Sequence, residues 1–202
     1  MEERQMKPEE SFDIINKAIS NFKINYKEGA NTFLLWGWLL SLAAFSNFFI
    51  LQVLQSKEAY GQMGLFSLGN WAVFIAIGFV IMFFMERKVK REKKVYSHLD
   101  RYVNQLWWVA VASFFTGTFL CIQLEITPPP LMLLLAGFAT TTTGLFIKFK
   151  PFIAGGIAFF AFSIASTFVS NEYTALVVGV AIICGYLIPG YLLRATKAQR
   201  HV

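Results

Sequence analysis

The chain has 202 residues, of which 56% are hydrophobic, 17% aromatic and only 15% charged, with a formal net charge of +6. A soluble domain of this length carries about 25% charged residues, so the composition argues against a water-soluble globule. It also argues against a folded basic module for nucleic acid, because the cations do not fall in a soluble unit able to read a groove. They are gathered into a few segments. That leaves six stretches free of Asp, Glu, Lys and Arg: 29–56, 59–85, 102–124, 126–147, 151–171 and 173–193.

Roughly 20 helical residues cross a hydrocarbon core of about 30 Å, and each stretch is at least that long. The expected fold is therefore an all-α integral membrane protein with six transmembrane helices. Its organisation would be a cytoplasmic amphipathic-helix region over 1–32, a six-helix transmembrane domain over 33–193 and a cytoplasmic tail over 194–202. A soluble bundle would have to hide LLWGWLLSLAAFSNFFILQVL, which has no polar face. Barrel strands would alternate polar and apolar residues, and none do. The first apolar run starts after some thirty residues and exceeds the 7–15 residues of a signal-peptide core, so it is expected to stay as an anchor.

The N-terminal segment reads as a helix in its own right. Pro8 suits a first turn, and Glu9, Glu10 and Asp13 complement the positive end of the helix dipole. Phe12, Ile15, Ile19, Phe22 and Tyr26 recur at spacings of 3 and 4, which gathers them on one face for the membrane surface. Gly29 is expected to end this helix. In the spans that follow, Asn47 and Asn70 are costly in lipid and are expected to face protein or water.

Between spans two and three lies a basic block, ERKVKREKKVYSHLDR, over 86–101. It carries Arg87, Lys88, Lys90, Arg91, Lys93, Lys94 and Arg101. Lys and Arg concentrate in cytoplasmic loops. Threading six spans puts 17 of the 18 basic residues on one side and Lys57 alone on the other, so both termini and the block are expected to be cytoplasmic. Cations there attract anionic lipid heads by about 1 kcal/mol each. Val95, Leu99, Tyr102 and Leu106 keep a helical spacing, which extends the third span into the loop of 86–105. The start of the chain is acidic (five acids and two bases over 1–16), whereas 86–94 holds six bases and two acids. The two elements are expected to pack into a small cytoplasmic cap.

Spans three and four are joined by EITPPP, whose prolines stiffen the helix entry and whose Thr127 is the expected cap. ATTTTG, 139–144, is the most polar stretch inside a span. Four consecutive threonines sweep about 300° of helix, so they cannot share one face. Bonding back to carbonyls one turn earlier is the simplest account of them. Ala136, Thr140 and Gly144, and again Ala181 and Gly185, form small-residue faces suited to close helix contact. Pro189 leaves the Gly185 carbonyl without its helical donor, which predicts a kink. Trp36, Trp38, Trp107, Trp108 and Tyr191 fall near the cytoplasmic boundary and Tyr173 near the outer one, as interfacial anchors. Cys121 and Cys184 lie at different depths, against a disulfide.

No acidic, basic or histidine side chain lies inside a span, which argues against proton-coupled pumping. His98 and His201 have no second ligand near them, and no nucleophile elbow, HExxH or phosphate loop is present. No catalytic, cofactor-binding or metal residue is assigned, and no enzyme activity is expected. Two functions remain. The first is an interaction or regulatory membrane protein, using Arg87, Lys88, Lys90, Arg91, Lys93 and Lys94 as its surface for anionic lipid, a protein partner or a second copy. The alternative is a small-solute channel with a polar path of Asn70, Thr140 and Thr143 between spans two and four. NFKINYKEGANTFLLWGWLLSLAAF (21–45) and CGYLIPGYLLR (184–194) resemble a family of small six-span bacterial inner-membrane proteins without assigned function. That resemblance implies a bacterial inner membrane and carries no activity and no site residues.

Overall fold

A computed structural model describes the backbone of residues 8–90 and 98–195, and the side chains of 30–85, 87 and 101–195. Throughout these residues the regular structure is helical. α1 (Pro8–Ser56) leads through a 3₁₀ turn (Tyr60–Gln62) to α2 (Met63–Lys90), followed by α3 (His98–Gln123), α4 (Pro129–Phe146) and α5 (Lys150–Ala165). α6 (Asn171–Ile182), a π-helical turn (Ile183–Leu187) and α7 (Ile188–Ala195) then form one unbroken rod.

Five segments are long and apolar enough to cross a membrane: Ala30–Ser56, Tyr60–Met85, Arg101–Gln123, Pro129–Phe146 and Asn171–Ala195. The stretch 151–171, expected as a sixth, yields only the 16-residue α5. Its last turn is taken over by local hydroxyl bonds. Ser166 Oγ donates to the Ser163 carbonyl and Thr167 Oγ1 to the Ile164 carbonyl, each at 2.7 Å. Such bonds give the backbone an alternative to the helical ladder.

Two expectations are corrected. α1 does not end at Gly29 but runs from Pro8 through the first span, so the expected boundary at 32 falls inside a helix. A helical Gly costs about 1 kcal/mol relative to Ala, and the adjacent Ala30, fully buried beside Phe152 and Leu193, holds the rod in place. Thr127 is not the cap of α4: Pro128 occupies that position, with no side-chain cap bond.

α1, α3 and α4 end alike. Glu58, Glu125 and Lys148 take left-handed backbone conformations, with φ of 55°, 55° and 52°. Behind each lies the paired bonding of a Schellman turn, as in Glu58 N–H to Gln55 O and Ala59 N–H to Leu54 O, both 2.9 Å. Glycine usually fills this position, which is why the pattern is hidden in the sequence.

α1 packs against α2, α6, the π turn and α7, while α4 and α5 form a hairpin that α3 joins through α4. The main core gathers Ala44, Leu133, Ala136, Phe159, Val178 and Tyr186 among its buried residues. Glycines set the closeness of the hairpin. A Cβ on Gly144 would stand 2.7 Å from the Ile153 amide nitrogen, and one on Gly137 would stand 3.1 Å from the Gly156 carbonyl oxygen. α5 and the π turn meet as tightly, since a Cβ on Gly155 would lie 2.7 Å from the Gly185 oxygen.

Candidate functional site

Every polar side chain singled out for a solute path has a partner in the helix packing. Asn70, on α2, turns towards α1: its Nδ2 donates to the Ala43 carbonyl at 2.9 Å, and its Oδ1 accepts from Ser46 Oγ at 2.8 Å. An amide satisfied on both sides acts as interhelical glue where water is scarce. Thr140 and Thr143 are buried in α4, and each donates to the carbonyl four residues earlier, Ala136 and Ala139, at 2.7 Å. Thr140 also pairs with the buried Tyr186 phenol. The three residues are thus engaged with different partners, Asn70 with α1 and the threonines within α4 and towards Tyr186. An open groove of about 420 Å³ between α1 and α2, lined by Ile50, Leu65, Phe66, Gly69, Asn70 and Val73, is largely apolar.

Three buried polar atoms have no partner among the described residues: Ser41 Oγ, Asn47 Oδ1 and Thr141 Oγ1. Thr141 Oγ1 lies against the Gly156 backbone, where a Cβ would collide with it. Asn47, expected to face protein, is indeed buried.

Where a kink is expected at Pro189, the backbone takes a π turn just before it, in which Ile188 N–H donates to the Ile183 oxygen, five residues back. The Gly185 carbonyl, deprived of its donor, faces the Gly155 backbone. Tyr186 projects from this turn into an aromatic cluster. Its ring lies 4.8 Å from Phe159, 6.1 Å from Phe33 and 6.2 Å from Trp107, while Phe33 lies 4.3 Å from Phe152. Sequence patterns missed this centre, because its members come from α1, α3, α5 and the π turn with no common spacing.

The boundary aromatics divide into two groups. Trp36 packs inward on Phe79 and over Gly78, and Trp107 joins the cluster. Trp38, Trp108, Tyr173 and Tyr191 stay exposed, and Trp38 Nε1 donates to Tyr191 Oη at 3.0 Å. At the other end, Gln55 Nε2 donates to Glu172 Oε1 at 2.7 Å and ties α1 to the start of α6.

Of the basic block, Arg87 is exposed and its guanidinium sits 4.1 Å above the Phe83 ring, a cation–π contact. The side chains of Lys88 and Lys90 lie outside the described residues, as do Arg91, Lys93 and Lys94 entirely. The seam residues Val95 and Leu99 and the apolar face of 12–26 are likewise outside the side-chain description. Both cysteines are free thiols, Cys121 buried and Cys184 partly so. Among the described residues no three His, Cys, Asp or Glu side chains are placed to share a metal ion.

Among the described residues, fold and site together define an all-helical bundle with five helices long and apolar enough to cross a membrane. No family model, no curated protein and no solved structure matches the chain.

Proposed function

We propose that this chain is a six-span bacterial inner-membrane protein, non-enzymatic, with both termini cytoplasmic. It acts as an interaction or regulatory protein through a cytoplasmic face formed by 8–28 and 86–105. α5 would be the remaining span: its 16 residues rise about 24 Å, and the apolar turn after it extends towards the boundary. The inner-membrane location rests on the family resemblance of 21–45 and 184–194, and the orientation on the one-sided distribution of Lys and Arg.

The observation that carries the functional reading is the engagement of the three polar side chains that a solute path would need. Asn70, Thr140 and Thr143 are each bonded to backbone, and glycine seams close the helices onto one another. Such a core offers a solute little to bind. Arg87 is exposed near the end of α2, where an acidic partner or anionic lipid can reach it.

Full-length protein purified in mild detergent is expected to retain a protein partner or a second copy. That association should be lost when 8–28 is exchanged for an unrelated amphipathic helix, or when Lys and Arg of 86–101 become Gln. Association that survives both changes overturns the reading. So does flux of small neutral solutes through proteoliposomes that Asn70→Leu abolishes.

A further inference from the structure

We infer that the crevice between α1 and α7 binds the phosphodiester headgroup of a membrane phospholipid, held by Tyr191 and Arg194. This rests on the membrane reading above but not on the orientation or on the basic block of 86–101.

The crevice is defined by close antiparallel contacts. Ideal Cβ positions on Gly190 and Gly37 fall against Leu34 and Leu187 respectively, and Trp38 reaches Tyr191 just outside that seam. In the Trp38–Tyr191 bond the indole is the donor, since an indole N–H has no acceptor capacity. The phenol oxygen therefore accepts, and its own proton has no acceptor among the described residues. Both rings are about half exposed, Trp38 at 50% and Tyr191 at 46%. The bond to the indole thus leaves the phenol O–H available as a donor.

Arg194 lies three residues beyond Tyr191, on the same helical face and about 4.5 Å further along the axis. It is exposed and has no acidic partner among the described residues. Two donors on one helical face, one of them on the long guanidinium arm, can converge on a single phosphodiester, and bonds of this kind to an ionised acceptor are the strong ones. In the other direction along the rods, one turn deeper, stand Ile188 at 51% and Leu42 at 50% exposure. From the helix end inward the crevice therefore presents two donors, Arg194 and Tyr191, and then bare aliphatic surface. A phospholipid carries complementary groups in that order: phosphodiester and then acyl chain. A soluble phosphate ester would use only the first half of the site.

The test is native mass spectrometry of the full chain in detergent with phosphatidylglycerol added, and with glycerol phosphate as the soluble comparison. Wild type is expected to retain one phosphatidylglycerol and no glycerol phosphate. Tyr191→Phe and Arg194→Gln should each lower occupancy about tenfold, the loss of one charge-assisted bond. Trp108→Phe, at an exposed indole elsewhere, should leave it unchanged. Circular dichroism confirms that the surface variants remain helical. Equal retention in wild type, Tyr191→Phe and Arg194→Gln overturns the site, as does a loss of the same size in Trp108→Phe, and so does tighter binding of glycerol phosphate than of the lipid. A chain that leaves the membrane fraction altogether overturns the membrane reading instead, so the two failures are distinguishable.

Discussion

Gly156→Ala tests how tightly the α4–α5 hairpin is closed. A methyl there would stand 2.7 Å from the Thr141 amide nitrogen and 2.9 Å from its Cα, and would also meet Thr141 Oγ1. The hydroxyl can rotate away, but the backbone atoms cannot. Ordinary contact begins near 3.4 Å, so the two helices must part by about 0.7 Å at this point. A gap of that size forfeits roughly a quarter to a half of each dispersion contact along the seam. Overpacking of this kind costs about 1–3 kcal/mol, equivalent to a fall of about 3–10 °C in melting temperature for a chain of this size. The assay is thermal unfolding in detergent followed by circular dichroism. Gly69→Ala is the control, because nothing lies within 4 Å of its new methyl and Ala is the better helix former by about 1 kcal/mol. The two substitutions are chemically identical and should move stability in opposite directions. A Gly156→Ala protein that melts at or above wild type would refute the backbone contact between α4 and α5.

Two further substitutions probe the helix junctions. Asn70→Leu removes the bonds to the Ala43 carbonyl and the Ser46 hydroxyl and should destabilise the α1–α2 pair by about 0.5–2 kcal/mol; unchanged denaturant stability in detergent would count against that pairing. Glu125→Gly places glycine where φ is 55° and should raise stability by about 0.5–1 kcal/mol, and a fall in melting temperature would show that α3 does not end in a left-handed turn.

The legible parts of the fold were those set by solvent and by chain length. Uncharged runs of more than 20 residues need hydrocarbon or deep burial whatever surrounds them, so the helical class and five of the expected spans were readable from charge placement. The threonines were readable too. Bonding back one turn is the simplest account of them, and Thr140 and Thr143 do so, whereas Thr141 Oγ1 has no partner among the described residues. The break expected at Pro189 follows from its missing N–H alone, though not the π form the backbone takes around it. Local readings failed where neighbouring residues outweighed a residue's own preference. Gly29 lies inside a helix because the rod continues on both sides, and Thr127 gives up the cap position of α4 to Pro128. The left-handed turns at Glu58, Glu125 and Lys148 carry no glycine to announce them. The last turn of α5 is lost because Ser166 and Thr167 bond to their own preceding carbonyls.

The candidate sites show the same division. The basic block was visible as a run of charge, and Asn70 as a lone amide among apolar residues. The Tyr186 cluster and the Trp38–Tyr191 pair were not, since the partners in that pair stand 153 residues apart and no period connects them. Composition and charge spacing, acting through the cost of placing ions and bare peptide groups in oil, determined by themselves that this chain would be a set of apolar helices with its cations outside the apolar runs. Only the tertiary structure decided which faces of those helices meet, because contact between rods depends on the shape left by each glycine and each ring, and shape is a property of pairs rather than of single positions.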